Sequence, residues 1–304
     1  MKLTIWPVVL WLALGAAGHT QQIGGAGLLA ARVVLAADSA NEVPFKLYRG
    51  YVIVARGSIG NVRNLNFLID TGAIPSVLDR RIAQRLHLTG AVEKLSVFTQ
   101  ELDTERVIAP DVNLGPFHAD ALPAVVGNLS FAEKILGTRV DAVVGLDLLG
   151  QNAFTIDYQS KKIIVGPIDP SLAGIPYEAH PGYAVVEMKI QQRSLRLLVD
   201  TGASDLEFFE AATRDCPDAI RIIGTQTGSN MGGEIRFQHV ELADAYLGSM
   251  PWGTRHAFIL PDSGENQPDG LRGLLGVASL KARRVGFDPE HRIFAWDTPN
   301  GPGR

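Results

Sequence analysis

Two short segments hold the residues best suited to chemistry. Asp70-Thr71-Gly72-Ala73 returns 130 residues later as Asp200-Thr201-Gly202-Ala203, and an apolar run leads into each. An aspartate at the end of such a run, followed by Thr-Gly, sets a carboxylate where the chain turns. The glycine lets backbone come close, and the threonine hydroxyl can hydrogen-bond across an interface. One such triplet is an ordinary turn signal. Two at matching places allow a specific reaction. Carboxylates about 3 Å apart cannot both ionise, so they share one proton and titrate as a pair. The ionised member can take a proton from water while the protonated one hydrogen-bonds a carbonyl oxygen. That is general acid–base hydrolysis of an amide, with neither metal nor covalent intermediate.

The elements that must position these carboxylates also occur twice. Leu65 to Ala73 and Leu195 to Ala203 share six of nine positions. Ala142-Val143-Val144-Gly145-Leu146 is answered by Gly273-Leu274-Leu275-Gly276-Val277, 75 and 76 residues after the respective aspartates. Asp157 and Asp288, each 12 residues beyond those glycines, close the unit. Three landmarks in register mean two copies of one fold. Each copy reads as all-β: residues 51–58, 163–165, 185–191 and 293–296 are β-rich. Short helices are expected over 76–86 and 206–214, with a turn after each late glycine. The lobes are placed at 47–166 and 183–298, joined by a Pro- and Gly-rich linker at 167–182 and followed by a tail at 299–304. In the second lobe, the glycine-rich stretch 227–234 lies between β-like runs as a hairpin tip. The matching stretch 96–108 has no glycine, so the second lobe is expected to supply the cover over the cleft.

At these motifs the chain resembles the pepsin-like and retroviral-type aspartic peptidases, most closely bacterial proteins with retropepsin-like domains. The resemblance spans 47–298 and implies two β-barrel lobes related by a pseudo-twofold axis. It implies that Asp70 and Asp200 are the catalytic pair. Thr71 and Thr201 would lock the two turns reciprocally, Gly72 and Gly202 would line the substrate backbone, and Gly145 and Gly276 would belong to the loop behind each aspartate. Ala73 and Ala203 depart from the pepsin-like pattern, which has Ser or Thr there. Losing a hydroxyl bond to the charged form implies a less acidic pair. Asp205 is a candidate substrate contact or simply a capping acid, and Asp147, matched by Ala278, reads as a cap.

The remaining features set the frame. The 304 residues are 46% apolar and 20% charged with net charge −4, an ordinary globular mix without the basic footprint of nucleic-acid binding. A single cysteine, Cys216, excludes an intramolecular disulfide. The seven histidines show no metal-ligand spacing, so no metal and no cofactor are expected. Lys2, the apolar run 3–14 and the small residues 15–18 read as a signal peptide over 1–18. Residues 19–46 then form a spacer or pro-like segment. An exported, periplasmic or secreted protein follows, membrane-anchored only if the leader stays. Two functions remain. One is an endopeptidase acting on peptides or unfolded protein, as a monomer or with a homodimer as the alternative. The other is an inactive bilobed binding module.

Overall fold

The computed structural model describes residues 12–13, 41–97, 100–180, 182–230, 233–260 and 270–297. Most of the leader, residues 14–40 and the tail lie outside these. Leu12–Ala13 forms a two-residue strand paired antiparallel with Ser229 and Gly228. The fold is all-β, with a few helical segments of three to seven residues.

Each Asp-Thr-Gly leaves the end of a strand whose far half is buried. In the first copy, Val62–Ile69 pairs with Val52–Ile59 in an antiparallel hairpin and with Ala142–Val144 in parallel. Ala142–Val144 then pairs antiparallel with Ser76–Asp79, itself parallel to Phe117–Gly127. The chain therefore quits one side of the Ala142–Val144 strand at Asp70 and re-enters on the other at Ser76. The second copy repeats the arrangement. Arg193–Asp200 runs parallel to Leu271–Gly276, which pairs antiparallel with Leu206–Phe209, itself parallel to Met250–Leu260.

This wrapping explains the late glycines. A Cβ on Gly145 would stand 1.7 Å from the Ala73 carbonyl oxygen, and one on Gly276 would stand 2.2 Å from that of Asp205. Only glycine lets the loop carrying the aspartate close over that strand end. The turns expected beyond them are the helix Leu146–Leu149 and the 3-10 turn Val277–Leu280.

Two expected helices begin later than the sequence pattern indicates. Ser76–Asp79 and Leu206–Phe209 are fully buried strands, and helix starts only at Arg80–Arg85 and Glu210–Asp215. A short apolar run fits a buried strand as well as a helix. Asp79 marks the boundary, since its carboxylate accepts the Arg81 N–H at 3.0 Å as an N-cap.

Each copy also has a long hairpin. Ala91–Val97 pairs with Gln100–Leu114, and Ile220–Asn230 pairs with Gly233–Leu247. The lack of glycine therefore does not deprive the first copy of a hairpin. Strand pairing, Val97 opposite Gln100, builds the first hairpin without glycine.

A run of six strands at one end of a thirteen-stranded sheet ties the copies together. Its order is Ala173–Pro176, Ile293–Trp296, Arg284–Asp288, Phe154–Asp157, Lys162–Val165, Glu42–Tyr48. At its centre the third landmarks of the repeat pair with each other, with Thr155 opposite Gly286 and the Phe154 and Phe287 rings stacked 5.1 Å apart. Its outer strands draw on the stretches read as spacer and linker: Glu42–Tyr48 begins before residue 47, and Ala173–Pro176 lies within 167–182. The backbone amides of these edge segments find partners in the sheet.

Candidate active site

The structure brings the two Asp-Thr-Gly turns face to face. The Thr71 amide donates to Thr201 Oγ1 at 3.0 Å and the Thr201 amide to Thr71 Oγ1 at 3.1 Å. Each hydroxyl then donates onward: Thr71 to the Val199 carbonyl at 2.8 Å and Thr201 to that of Ile69 at 3.2 Å. Four bonds thus link the strand ends that carry Asp70 and Asp200, all of them buried.

Both carboxylates are fully buried. The Gly72 amide donates to Asp70 Oδ1 at 2.8 Å, and the Gly202 amide to Asp200 Oδ1 at 2.6 Å. The Oδ2 atoms have no other donor. The two carboxyls are within hydrogen-bonding reach of each other, so one shared proton satisfies both and two negative charges satisfy neither. The glycines measure how tight the meeting is. A Cβ on Gly72 would lie 2.8 Å from Asp200 Oδ2, and one on Gly202 2.6 Å from Asp70 Oδ2.

Electrostatics follow from this geometry. Burial first, and then the neighbouring Asp200 charge, hold Asp70 well above the usual carboxylate range. Burial pushes Asp200 up to about 6, against hydrogen bonds from Asp70 and the Gly202 and Ala203 amides. Ala73 and Ala203 are fully buried beside the pair. Desolvation therefore leads the upward shift, and Ala203 still serves Asp200 through its backbone.

Other residues support the site that sequence reasoning passed over. The Tyr183 hydroxyl donates to the Ile74 carbonyl at 2.6 Å, and Tyr51 hydrogen-bonds the Ser204 side chain. Ile74 and Ser204 are equivalent positions, four beyond each aspartate, so each lobe extends a tyrosine to the other's turn. In the first lobe Asp147 accepts the Ser76 amide and hydroxyl, both at 2.7 Å. This ties the helix Leu146–Leu149 to the strand after the aspartate, a larger role than capping. Asp205 is half-buried and accepts the Ser204 hydroxyl. Glu207, which no motif singled out, is fully buried with neither carboxyl oxygen partnered. Among the described residues, no group of three or more His, Cys, Asp or Glu is arranged to hold a metal ion.

Residues 55–148 match the model of the aspartyl protease family, a retropepsin-like family. The matched segment contains the first Asp-Thr-Gly and the first late glycine, and it ends before the second copy. No curated protein matches the chain.

Proposed function

We propose that this protein is an exported aspartic endopeptidase that works as a monomer, with one aspartate of the pair supplied by each lobe. The observation that carries the reading is the buried Asp70–Asp200 pair, held on turns joined by the threonine exchange, with each Oδ2 buried and accepting no hydrogen bond. Water bound between them loses a proton to the ionised carboxylate as its oxygen bonds to the scissile carbonyl carbon. The protonated carboxyl gives its proton to the carbonyl oxygen, forming a gem-diol. Collapse then breaks the C–N bond: a gem-diol hydroxyl returns its proton to the ionised carboxylate while the other carboxyl's proton passes to the leaving nitrogen, which restores the single shared proton. The substrate class is an extended peptide or unfolded segment lying between the two long hairpins. Export rests on the leader pattern of residues 1–18. Among the described residues, no helix is long and apolar enough to cross a membrane.

The test is cleavage of a mixed peptide library by purified residues 19–304, beside Asp70→Asn and Asp200→Asn. Either substitution is expected to lower kcat by about 10²–10⁴-fold while the protein stays folded. The acid limb of kcat/KM should have its midpoint near the Asp200 value of about 6, since protonating Asp200 as well removes the base. Cleavage surviving in both variants would place the chemistry elsewhere. A folded wild type that cuts nothing would favour the binding module.

A further inference from the structure

The second lobe contains a cavity of about 620 Å³ whose lining includes Asp205, Trp252, Arg255, His256, Lys281 and Trp296. Arg255 and Lys281 have no acidic partner among the described residues. The Arg255 guanidinium lies over the Trp252 ring, 4.8 Å from its centroid, and its Nε is buried without a hydrogen-bond partner. Its one hydrogen bond goes from Nη1 to the Thr254 carbonyl at 3.3 Å. No carboxylate among the described residues lies within ion-pair distance of Arg255 or of Lys281, which caps the 3-10 turn Val277–Leu280. Burial alone lowers the Arg255 pKa, with no acid to oppose it. Asp205, the acid of the lining, is held by the Ser204 hydroxyl. His256 faces His239 at 3.2 Å and Glu241 at 3.9 Å.

The first lobe shows that the fold does not require these residues. Ser76 pairs with Ala124 as Leu206 pairs with Ala257, and Leu114 faces Phe117 as Leu247 faces Met250. That register sets Trp252 and Arg255 opposite Ala119 and Leu122. The late glycines and the paired C-terminal strands likewise match Lys281 with Gly150 and Trp296 with Val165. Four small or aliphatic positions in one lobe thus become two indoles and two unpaired cations in the other.

We infer that this cavity is a carboxylate-binding subsite, which takes an acidic side chain of the polypeptide substrate at a fixed distance from the scissile bond. A guanidinium flattened on an indole presents its edge as a fixed fork that matches a carboxylate, and Lys281 adds a second positive charge. Asp205 and Leu206, five and six residues beyond Asp200 in the chain, form part of the cavity wall. The polypeptide as the source of the carboxylate rests on the peptidase reading; a small free carboxylate is the other source.

The probes are fluorescein-labelled decapeptides with one Glu scanned along the chain, their Gln twins, and free N-acetylglutamate. Binding and cleavage are each measured on the full protein, on Arg255→Leu and on Lys281→Gly, which copy residues of the first lobe. Glu at one position is expected to tighten wild-type binding about tenfold over Gln, and each variant should narrow that gap. The effect should fall on KM with kcat unchanged. Either variant suffices if the other fails to fold. Free N-acetylglutamate binding as tightly as the peptide would overturn the substrate assignment in favour of a small carboxylate. Equal Glu and Gln binding, or a gap untouched by both variants, would overturn the subsite. Cleavage without Glu preference sinks this inference and leaves the peptidase reading intact, whereas Glu-dependent binding without cleavage does the reverse.

Discussion

Glu207 occupies the position in the second lobe that Val77 holds in the first, and among the described residues it is the one whose two carboxyl oxygens are both buried without a hydrogen-bond partner. Both sites lie on strands buried on both faces, and Glu207 pairs in register with Phe258 and Leu274. Burial first, and then the Asp200 and Asp205 charges, raise its carboxyl well above the ordinary range. A carboxyl whose pKa is raised by folding favours the native state below the unfolded value of about 4.3, and that stability is lost as pH rises toward the folded value. Glu207→Val should therefore stabilise the protein by about 1–3 kcal/mol at neutral pH. The gain should shrink toward pH 4. Asp70 and Asp200 titrate with the same sign, but they do so in both proteins and cancel from the difference. Thermal unfolding at pH 4 and 7 is the measurement; a pH-independent difference would mean that Glu207 is satisfied in solution.

At the scale of elements, the two lobes solve one packing problem in two ways. Both must dock the helical turn after the late glycine against the strand after the aspartate. The first lobe uses polar groups: Asp147 accepts the Ser76 amide, the Ser76 hydroxyl and the Leu148 amide, and Ser76 Oγ in turn accepts from Gly145. The second lobe has Leu206 and Ala278 at those places, and Leu206 is buried. Asp147→Ala alone leaves Ser76 donors unpaired in a buried setting and should cost about 1–3 kcal/mol. Adding Ser76→Leu should recover much of that loss, because the pair then copies the second lobe. Denaturant unfolding of both singles and the double closes the cycle. A double variant weaker than the sum of the singles would show that the two dockings are not interchangeable.

For the molecule as a whole, the contacts that hold the copies together include the threonine exchange at the site and the six-strand run that pairs their C-terminal strands. Thr71→Ala would orphan the Thr201 amide and the Thr71 hydroxyl's acceptor, the Val199 carbonyl. A loss of about 1–3 kcal/mol is expected, with Thr201→Ala similar by symmetry. The double variant should lose less than the sum, since both singles break one network. Peptide cleavage should fall along with stability, because the same bonds set the separation of Asp70 from Asp200. Losses that add fully in the calorimeter would show the four bonds to be independent.

The all-β class and the recurrence of Asp-Thr-Gly-Ala were legible in the sequence alone, because those depend on local pattern. Apolar runs, a glycine where backbone must approach, and a fixed spacing between landmarks are all written in order along the chain. Strand boundaries at Ser76 and Leu206 were not legible, since a short apolar run has no intrinsic preference until its neighbours form. The hairpin at 91–114 was hidden for a related reason: cross-strand pairing, with no glycine signal, makes it. Tertiary structure decided the rest. It set Tyr51 against Ser204, Glu207 beside Asp200, and Trp252 under Arg255. Tyr51 and Ser204 are 153 positions apart, Glu207 and Asp200 lie on different strands, and Trp252 and Arg255 share one strand; the energies of all three depend on burial and distance, which no linear spacing encodes.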